Sequence, residues 1–212
     1  MSVRIRPRGL NKWGCMYQGW RETLAMFLWW VRFPSSPQKL LLFIIKKEME
    51  YLKYFWGFML FVFISYISFV WIKYGIQRSI SDSYYKLSKK LQPLFVFFCW
   101  GFAFPAIVIG VTLTDNFLMF LAGTGICFVG AAAAFKENLT KIVHMIGAYG
   151  GVFFSQLSIA LDFKMFYVNI IFITIAIIFE ILSYMKKMNN KIWWQEILAF
   201  LSIVFVFYCN LF

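Results

Sequence analysis

The sequence predicts an all-α integral membrane protein, a bundle of about six transmembrane helices. Hydrophobic residues make up 62% of the chain and charged residues only 14%, so a soluble fold would lack the polar side chains needed to cover its surface. The apolar residues also fall into blocks of about 20, the length that a helix needs to cross the hydrocarbon core. These blocks lack the period-two alternation of a membrane β-barrel, which leaves helices.

Six blocks have the required length. The first, second, fifth and sixth are the most apolar, whereas the third and fourth are rich in glycine, alanine and serine. Pro105 in the second block removes a backbone donor and predicts a kink there. The predicted spans are Tyr54–Ile72, Pro93–Leu113, Phe117–Phe135, Ile142–Leu161, Met165–Tyr184 and Ile192–Phe212.

Small residues predict which helices pack most closely. Helices in lipid associate through small side chains that let two backbones approach each other. We therefore expect the third and fourth spans to form the centre of the bundle, and Gln156 and Asn169 to hydrogen-bond between helices. The small residues concerned are Gly123 and Gly130 in the third span, and Gly147, Gly151 and Ser155 in the fourth.

Basic residues predict the orientation. Three connections carry ten Lys or Arg in total, whereas the two others carry one, Lys164. Because basic loops stay on the cytoplasmic side, we expect this to be a multi-pass protein of the cytoplasmic membrane with its loop lysines against anionic lipid headgroups. The basic connections are residues 73–92, 136–141 and 185–191.

The first 48 residues conflict with this orientation. They carry nine Lys or Arg against two acidic residues, and an even number of spans places them away from the cytoplasm. Two hypotheses are open. In one, residues 1–48 are a cytoplasmic basic extension with Leu24–Phe33 as an interfacial helix, and one predicted span is wrong. In the other, which we favour, translation begins at Met49 and residues 1–48 are an over-extended start of the reading frame. Residues 49–212 are then the transmembrane domain.

A polar cluster is predicted in the cytoplasmic leaflet, where charged groups are costly and need a reason. It would hold a headgroup, a proton or a small substrate. The competing interpretation is that each residue reaches water near the interface, that Glu196 caps its helix, and that the serine–tyrosine run is an N-cap and a short helix. The candidate residues, all at one depth, are Ser79, Ser81, Asp82, Tyr84, His144, Glu180 and Glu196.

The sequence offers little for catalysis and predicts no cofactor and no metal. One histidine in the whole chain excludes a His-rich metal centre. A Ser/His pair is conceivable, but no serine stands in the elbow position of Gly123–Gly125. The cysteines are too far apart for a thiolate site: Cys15, Cys99, Cys127 and Cys209. The net charge of +12 follows from the topology, so it gives no reason to expect a nucleic acid partner.

Three short motifs carry a resemblance. The run Ser79–Tyr85, the stretch WGFAFP at Trp100–Pro105 and the stretch HMIGAYGG at His144–Gly151 are similar to small polytopic membrane proteins, themselves uncharacterised, of Bacteroides-like gut bacteria and their phages. The resemblance concerns residues 49–162. It implies a source and no particular activity.

The function predicted from the sequence is a non-enzymatic binding or interaction component of the cytoplasmic membrane. The alternative is a membrane-embedded enzyme, or a small-solute or lipid transporter, that uses the polar cluster. Six spans are few for a transporter, but a homo-oligomer would multiply them. Substitutions at Ser81, His144 and Glu180 that abolish a phenotype while leaving abundance intact would favour the alternative.

Single cysteines at positions 115 and 188 in intact cells, in a background without the native cysteines, test the orientation. An impermeant maleimide should label position 115 and leave position 188 unlabelled, since the lysine-bearing connections face the cytoplasm. Labelling of position 188 alone would invert the predicted topology.

Overall fold

The described residues of this computed structural model are 37–114, 116–133, 138–185 and 189–212, and every regular element in these ranges is an α-helix. The chain divides into two compact units at Glu48, and the second, residues 49–212, is described below. The predicted interfacial helix Leu24–Phe33 lies outside the described residues. The helices are α1 Pro37–Tyr74, α2 Ser83–Lys86, α3 Pro93–Thr114, α4 Leu118–Ala131, α5 Asn138–Leu161, α6 Phe166–Tyr184 and α7 Lys191–Leu211.

The predicted class, an all-α membrane bundle, is confirmed. Five helices in the described ranges are long and apolar enough to cross a bilayer, and the protein is therefore a multi-pass membrane protein. These helices are the Met49–Tyr74 part of α1, α3, the Thr140–Leu161 part of α5, α6 and α7.

The third predicted span is shorter than the sequence indicates. Helix α4 has 14 residues, or about 21 Å at 1.5 Å per residue, whereas the hydrocarbon core is about 30 Å thick. The chain leaves the helix at Ala132, and the carbonyl of this residue accepts a hydrogen bond from a side chain of α5. Ala132 and Ala133, which the prediction includes in this span, therefore do not continue the helix.

Hydrogen bonds show that the connections lie at two ends of the bundle. At one end, the Asn116 amide donates to Asp162 Oδ1 at 2.7 Å, which joins the α3–α4 and α5–α6 connections. At the other, the Trp193 backbone N–H donates to the Arg78 carbonyl at 3.1 Å, which brings the α1–α3 connection to the start of α7. We call this second end, comprising residues 75–92 and the first two turns of α5 and α7, the lysine end. Successive spans thus run in opposite directions.

Helices α4 and α5 make the closest backbone approach described in the bundle. A Cβ atom built on Gly125 would lie 2.7 Å from both the Gly147 carbonyl oxygen and the Gly151 nitrogen, so only glycine fits there. Gly123 and Gly130 belong to another contact, since their missing side chains make room for α3. The sequence pairs the third and fourth spans but does not single out Gly125.

Aromatic side chains fill the space between α1, α3 and α7. The Tyr66 ring stacks on Phe98 with centroids 4.4 Å apart, and Phe200 of α7 lies edge-on to Phe102 at 4.7 Å. The Trp56 indole donates to the Val204 carbonyl at 3.0 Å, which joins α1 to α7. These contacts fix the rotation of α1 and α7 about their own axes.

Helix α6 lies at the periphery. Only 6% of its apolar stretch is buried, and six of its seven isoleucines are exposed, as expected for a lipid-facing helix. The Asn169 amide donates to Gln156 Oε1 at 3.3 Å and to the Gln156 carbonyl at 2.8 Å, and the Gln156 amide donates to Ser202 at 2.9 Å. The prediction that Gln156 and Asn169 bond between helices is confirmed.

Replacing Gly125 with alanine should destabilise the bundle, because the new methyl group would meet backbone atoms of α5 that cannot rotate away. We expect a loss of about 1–3 kcal/mol, the usual cost of overpacking, measured by thermal unfolding in detergent. Gly150→Ala in α5 is the control, since no atom lies within 4 Å of its new Cβ. Equal unfolding temperatures for the two variants would contradict the close approach.

Candidate functional site

The serine-rich run at residues 79–83 lies inside the lysine end rather than on its surface. Helix α1 ends at Tyr74, and the next residue, Gly75, has a positive φ of 72° that turns the chain back toward the bundle. Ile80, Ser81 and Ser83 are then almost fully buried, with 2%, 7% and 0% of their surface exposed. We call residues 79–83 the inserted segment. Its last residue, Ser83, is also the first residue of the one-turn helix α2.

Local hydrogen bonds shape the inserted segment. The Ser83 hydroxyl donates to the Ile80 carbonyl at 2.5 Å, and the Asp82 backbone N–H donates to Ser79 Oγ at 3.1 Å. Tyr66 of α1 lies with its hydroxyl 2.6 Å from Ser83 Oγ. Because the Ser83 proton goes to Ile80, the Tyr66 hydroxyl is the donor in that pair. The N-cap of α2 is Asp82, but its side chain makes no capping bond.

The imidazole of His144, a residue of α5, is hydrogen-bonded to Ser81 of the inserted segment. Its Nδ1 lies 3.1 Å from the Ala132 carbonyl oxygen and its Nε2 lies 3.1 Å from Ser81 Oγ. A carbonyl oxygen can only accept, so a neutral imidazole carries its proton on Nδ1 and receives the Ser81 hydroxyl at Nε2. This histidine, with 3% of its surface exposed, joins the end of α4 to the inserted segment.

Helix α7 contributes a carboxylate. Glu196 Oε2 accepts the backbone N–H of Ile80 at 2.5 Å. Glu196 is the sixth residue of α7, and it bonds the inserted segment instead of capping its own helix. The inserted segment is therefore held by side chains from three different spans, α1, α5 and α7.

The residues predicted as one polar cluster are distributed as follows. Ser79, Ser81, Asp82, His144 and Glu196 lie together in or against the inserted segment. Tyr84 is next to them, half-buried, with its ring packed on Tyr85 and Phe95.

Glu180 lies apart from this cluster. Its carboxylate accepts from Lys191 Nζ at 2.6 Å and from the Gln195 amide at 3.3 Å, and its side chain is 53% exposed. The sequence groups Glu180 with the others by depth along the helix alone. Because α6 is peripheral, that depth places Glu180 on the outer surface beside α7.

A cavity of about 70 Å³ lies beneath the inserted segment, between α3, α4, α5 and α7. Its wall is mostly apolar, with the rings of Phe95, Phe98 and Phe200 on one side. A few polar side chains reach it, notably Ser81, Ser155 and Glu196. An apolar hollow with a few convergent polar groups has the composition of a small-molecule site.

Sequence reasoning missed several of these residues. Tyr66, Cys99 and the three cavity phenylalanines look like ordinary apolar span residues, since the chain has 27 Phe and 11 Tyr without any distinguishing spacing. The four-residue interval between Tyr66 and Val70, both buried, marks the inward face of α1 but not its partner. Which partner Tyr66 meets depends on how the connection folds back.

Metal binding finds no support at the site. Within the described ranges, no group of three or more His, Cys, Asp or Glu side chains is arranged to hold a metal ion.

Comparison of the chain with protein-family models, with curated proteins and with solved structures gives no significant match.

Replacing Ser81 with alanine should cost about 1–3 kcal/mol of unfolding free energy, because the buried imidazole of His144 loses its hydrogen bond to the Ser81 hydroxyl. Ser88→Ala in the same connection is the control. Its side chain is exposed, so the change should stay within about 0.5 kcal/mol. Denaturant unfolding of both variants measures the difference, and a Ser81→Ala protein as stable as the control would show that the bond contributes nothing.

Proposed function

We propose that this protein is a non-enzymatic binding component of the cytoplasmic membrane, and that its binding site is the cavity beneath the inserted segment. The observation that carries the proposal is the convergence of Ser81, Ser155 and Glu196 on a cavity whose wall is otherwise mostly apolar and includes aromatic rings. In membrane proteins an ionisable side chain inside a span is costly and usually serves a ligand or an ion.

Binding is favoured over catalysis because the reactive groups hold the inserted segment. The Ser81 hydroxyl is bonded to His144, and the other nitrogen of that imidazole is bonded to a backbone carbonyl. Glu196 uses one oxygen for the Ile80 N–H. In a nucleophile–base pair, a carboxylate orients the imidazole by accepting the proton of its second nitrogen. At this site the acceptor of that proton is the Ala132 carbonyl instead.

The orientation is part of the proposal. Ten Lys or Arg in the connections 73–92, 136–141 and 185–191, against one in the two other connections, support a cytoplasmic lysine end. Lys86, Lys89 and Lys90 are exposed there and would contact anionic headgroups. The inserted segment would then separate the cavity from the cytoplasm.

A transporter is the second candidate, favoured by polar side chains deeper in the bundle. Asn169, Gln156 and Ser202 form a hydrogen-bonded chain between α6, α5 and α7. Ser155, the neighbour of Gln156, lines the cavity. A transporter would carry its ligand past this chain, whereas a binding component would only retain it. Flux of the bound ligand into sealed proteoliposomes separates the two.

Thiol chemistry at Cys99 tests the site directly, because this buried cysteine lines the cavity. In a protein whose other three cysteines are serine, methyl methanethiosulfonate should modify Cys99 slowly. Tyr66→Phe removes one bond to the inserted segment and should speed the reaction about fivefold, the equivalent of a net hydrogen bond of about 1 kcal/mol.

Tyr167→Phe is the matched control for that reaction, since Tyr167 is half exposed on the peripheral helix α6. It should leave the rate unchanged. Intact-protein mass spectrometry follows the modification over time. A Cys99 that stays unmodified in folded Tyr66→Phe protein would contradict a cavity closed by the inserted segment.

A further inference from the structure

The carboxylate of Glu196 lacks a positively charged partner among the described residues. The one ion pair in that part of the chain joins Lys191 to Glu180, on the outer surface. Glu196 receives one hydrogen bond, from the Ile80 N–H, and lines the cavity. Asp82, two residues after Ile80 in the inserted segment, adds a second acidic side chain at this end of the bundle. A carboxylate in apolar surroundings calls for a cation.

Part of the cavity wall is aromatic. The rings of Phe98 and Phe200 have centroids 5.4 Å apart at 59°, and Phe95 and Phe98 are 6.4 Å apart at 44°. All three rings line the cavity. The face of an aromatic ring attracts a cation, most strongly where water is excluded. A carboxylate and three phenyl rings around one space suit an organic cation with apolar substituents.

The size of the cavity limits the ligand. An apolar cavity of about 150 Å³ in another protein accommodates benzene, which has six carbon atoms. A cavity of about 70 Å³ therefore holds roughly three non-hydrogen atoms. Methylammonium, ethylammonium and dimethylammonium have this size, whereas tetramethylammonium and choline exceed it.

Inorganic cations fit the cavity less well. Calcium takes six to eight oxygen ligands and magnesium requires six in near-ideal geometry. The side-chain oxygens that line this cavity belong to Ser81, Ser155 and Glu196. That set cannot complete such a shell, but one carboxylate and two hydroxyls are enough for the N–H donors of a small ammonium ion.

The lysines of the same end do not set the charge inside the cavity. Lys86, Lys89 and Lys90 are exposed, so solvent and salt screen them. Glu196 is half-buried and lines the cavity, where screening is weaker. No basic side chain of the described residues lines the cavity, so the carboxyl that a bound ligand would meet there is that of Glu196.

We propose that the ligand of this cavity is a small alkylammonium ion, with its charge on the Glu196 carboxylate and its methyl groups against Phe95, Phe98 and Phe200. The proposal rests on the function proposed above and names its ligand class. For a ligand of about three non-hydrogen atoms, the affinity can reach only about the millimolar range.

Saturation-transfer NMR with methylammonium chloride tests the proposal on the full chain in lipid nanodiscs, at millimolar ligand. Methanol is the neutral probe of the same number of non-hydrogen atoms, and potassium chloride at equal concentration controls for ionic strength. We expect saturation transfer to methylammonium, at least about tenfold weaker binding of methanol, and no competition by potassium.

Glu196→Gln keeps an oxygen for the Ile80 N–H while removing the charge, so the fold is retained and binding of methylammonium should fall at least about tenfold. Phe200→Leu should weaken binding about threefold by removing one ring. Glu180→Gln removes an exposed carboxylate outside the cavity and should leave binding unchanged. Circular dichroism verifies that each variant is helical.

The outcomes separate this inference from the proposed function. If methanol and methylammonium bind equally and Glu196→Gln has no effect, the alkylammonium assignment is overturned while the cavity remains a binding site. If methylammonium shows no transfer although Cys99 reacts with the thiol reagent, the ligand class is wrong. If Cys99 is also inert, the proposed function fails as well.

Discussion

A peptide segment that enters an apolar bundle must find partners for its polar groups within the protein, because lipid offers none. The inserted segment meets this constraint with one side chain from each of three spans: Tyr66 at Ser83, His144 at Ser81, and Glu196 at the Ile80 N–H. Each bond contributes only about 1 kcal/mol, but leaving a buried group unpaired costs about 1–3 kcal/mol. The segment and the three helices therefore fix one another's positions.

The close approach of α4 and α5 makes this arrangement possible. With Gly125 against Gly147 and Gly151, the two helices lie near enough for His144, one turn before Gly147, to reach the end of α4. Helix α4 ends before Ala132, and His144 Nδ1 donates a hydrogen bond to the Ala132 carbonyl oxygen. The early end of α4 therefore supplies the acceptor that the buried imidazole needs.

Hydropathy predicts the long spans because crossing lipid is a property of composition, which a sequence displays directly. It also places His144, Glu180 and Glu196 near one end, because depth follows from counting residues. It cannot tell Glu196, which bonds the inserted segment, from Glu180, which pairs with Lys191 on the surface. That difference depends on the rotation and position of α6 and α7, which non-local packing decides. The choice of Gly125 over Gly123 at the α4–α5 contact has the same origin.

The central claim is that residues 79–83 are held inside the bundle rather than lying on it, and amide hydrogen exchange of this connection in lipid nanodiscs tests it most directly. The Ile80 amide, bonded to Glu196 and buried, should exchange at least about 100-fold more slowly than the amides of the exposed residues Lys89 and Lys90. Exchange of Ile80 as fast as that of the two lysines would contradict the account, since neither the hydrogen bonds nor the cavity beneath the segment would then exist.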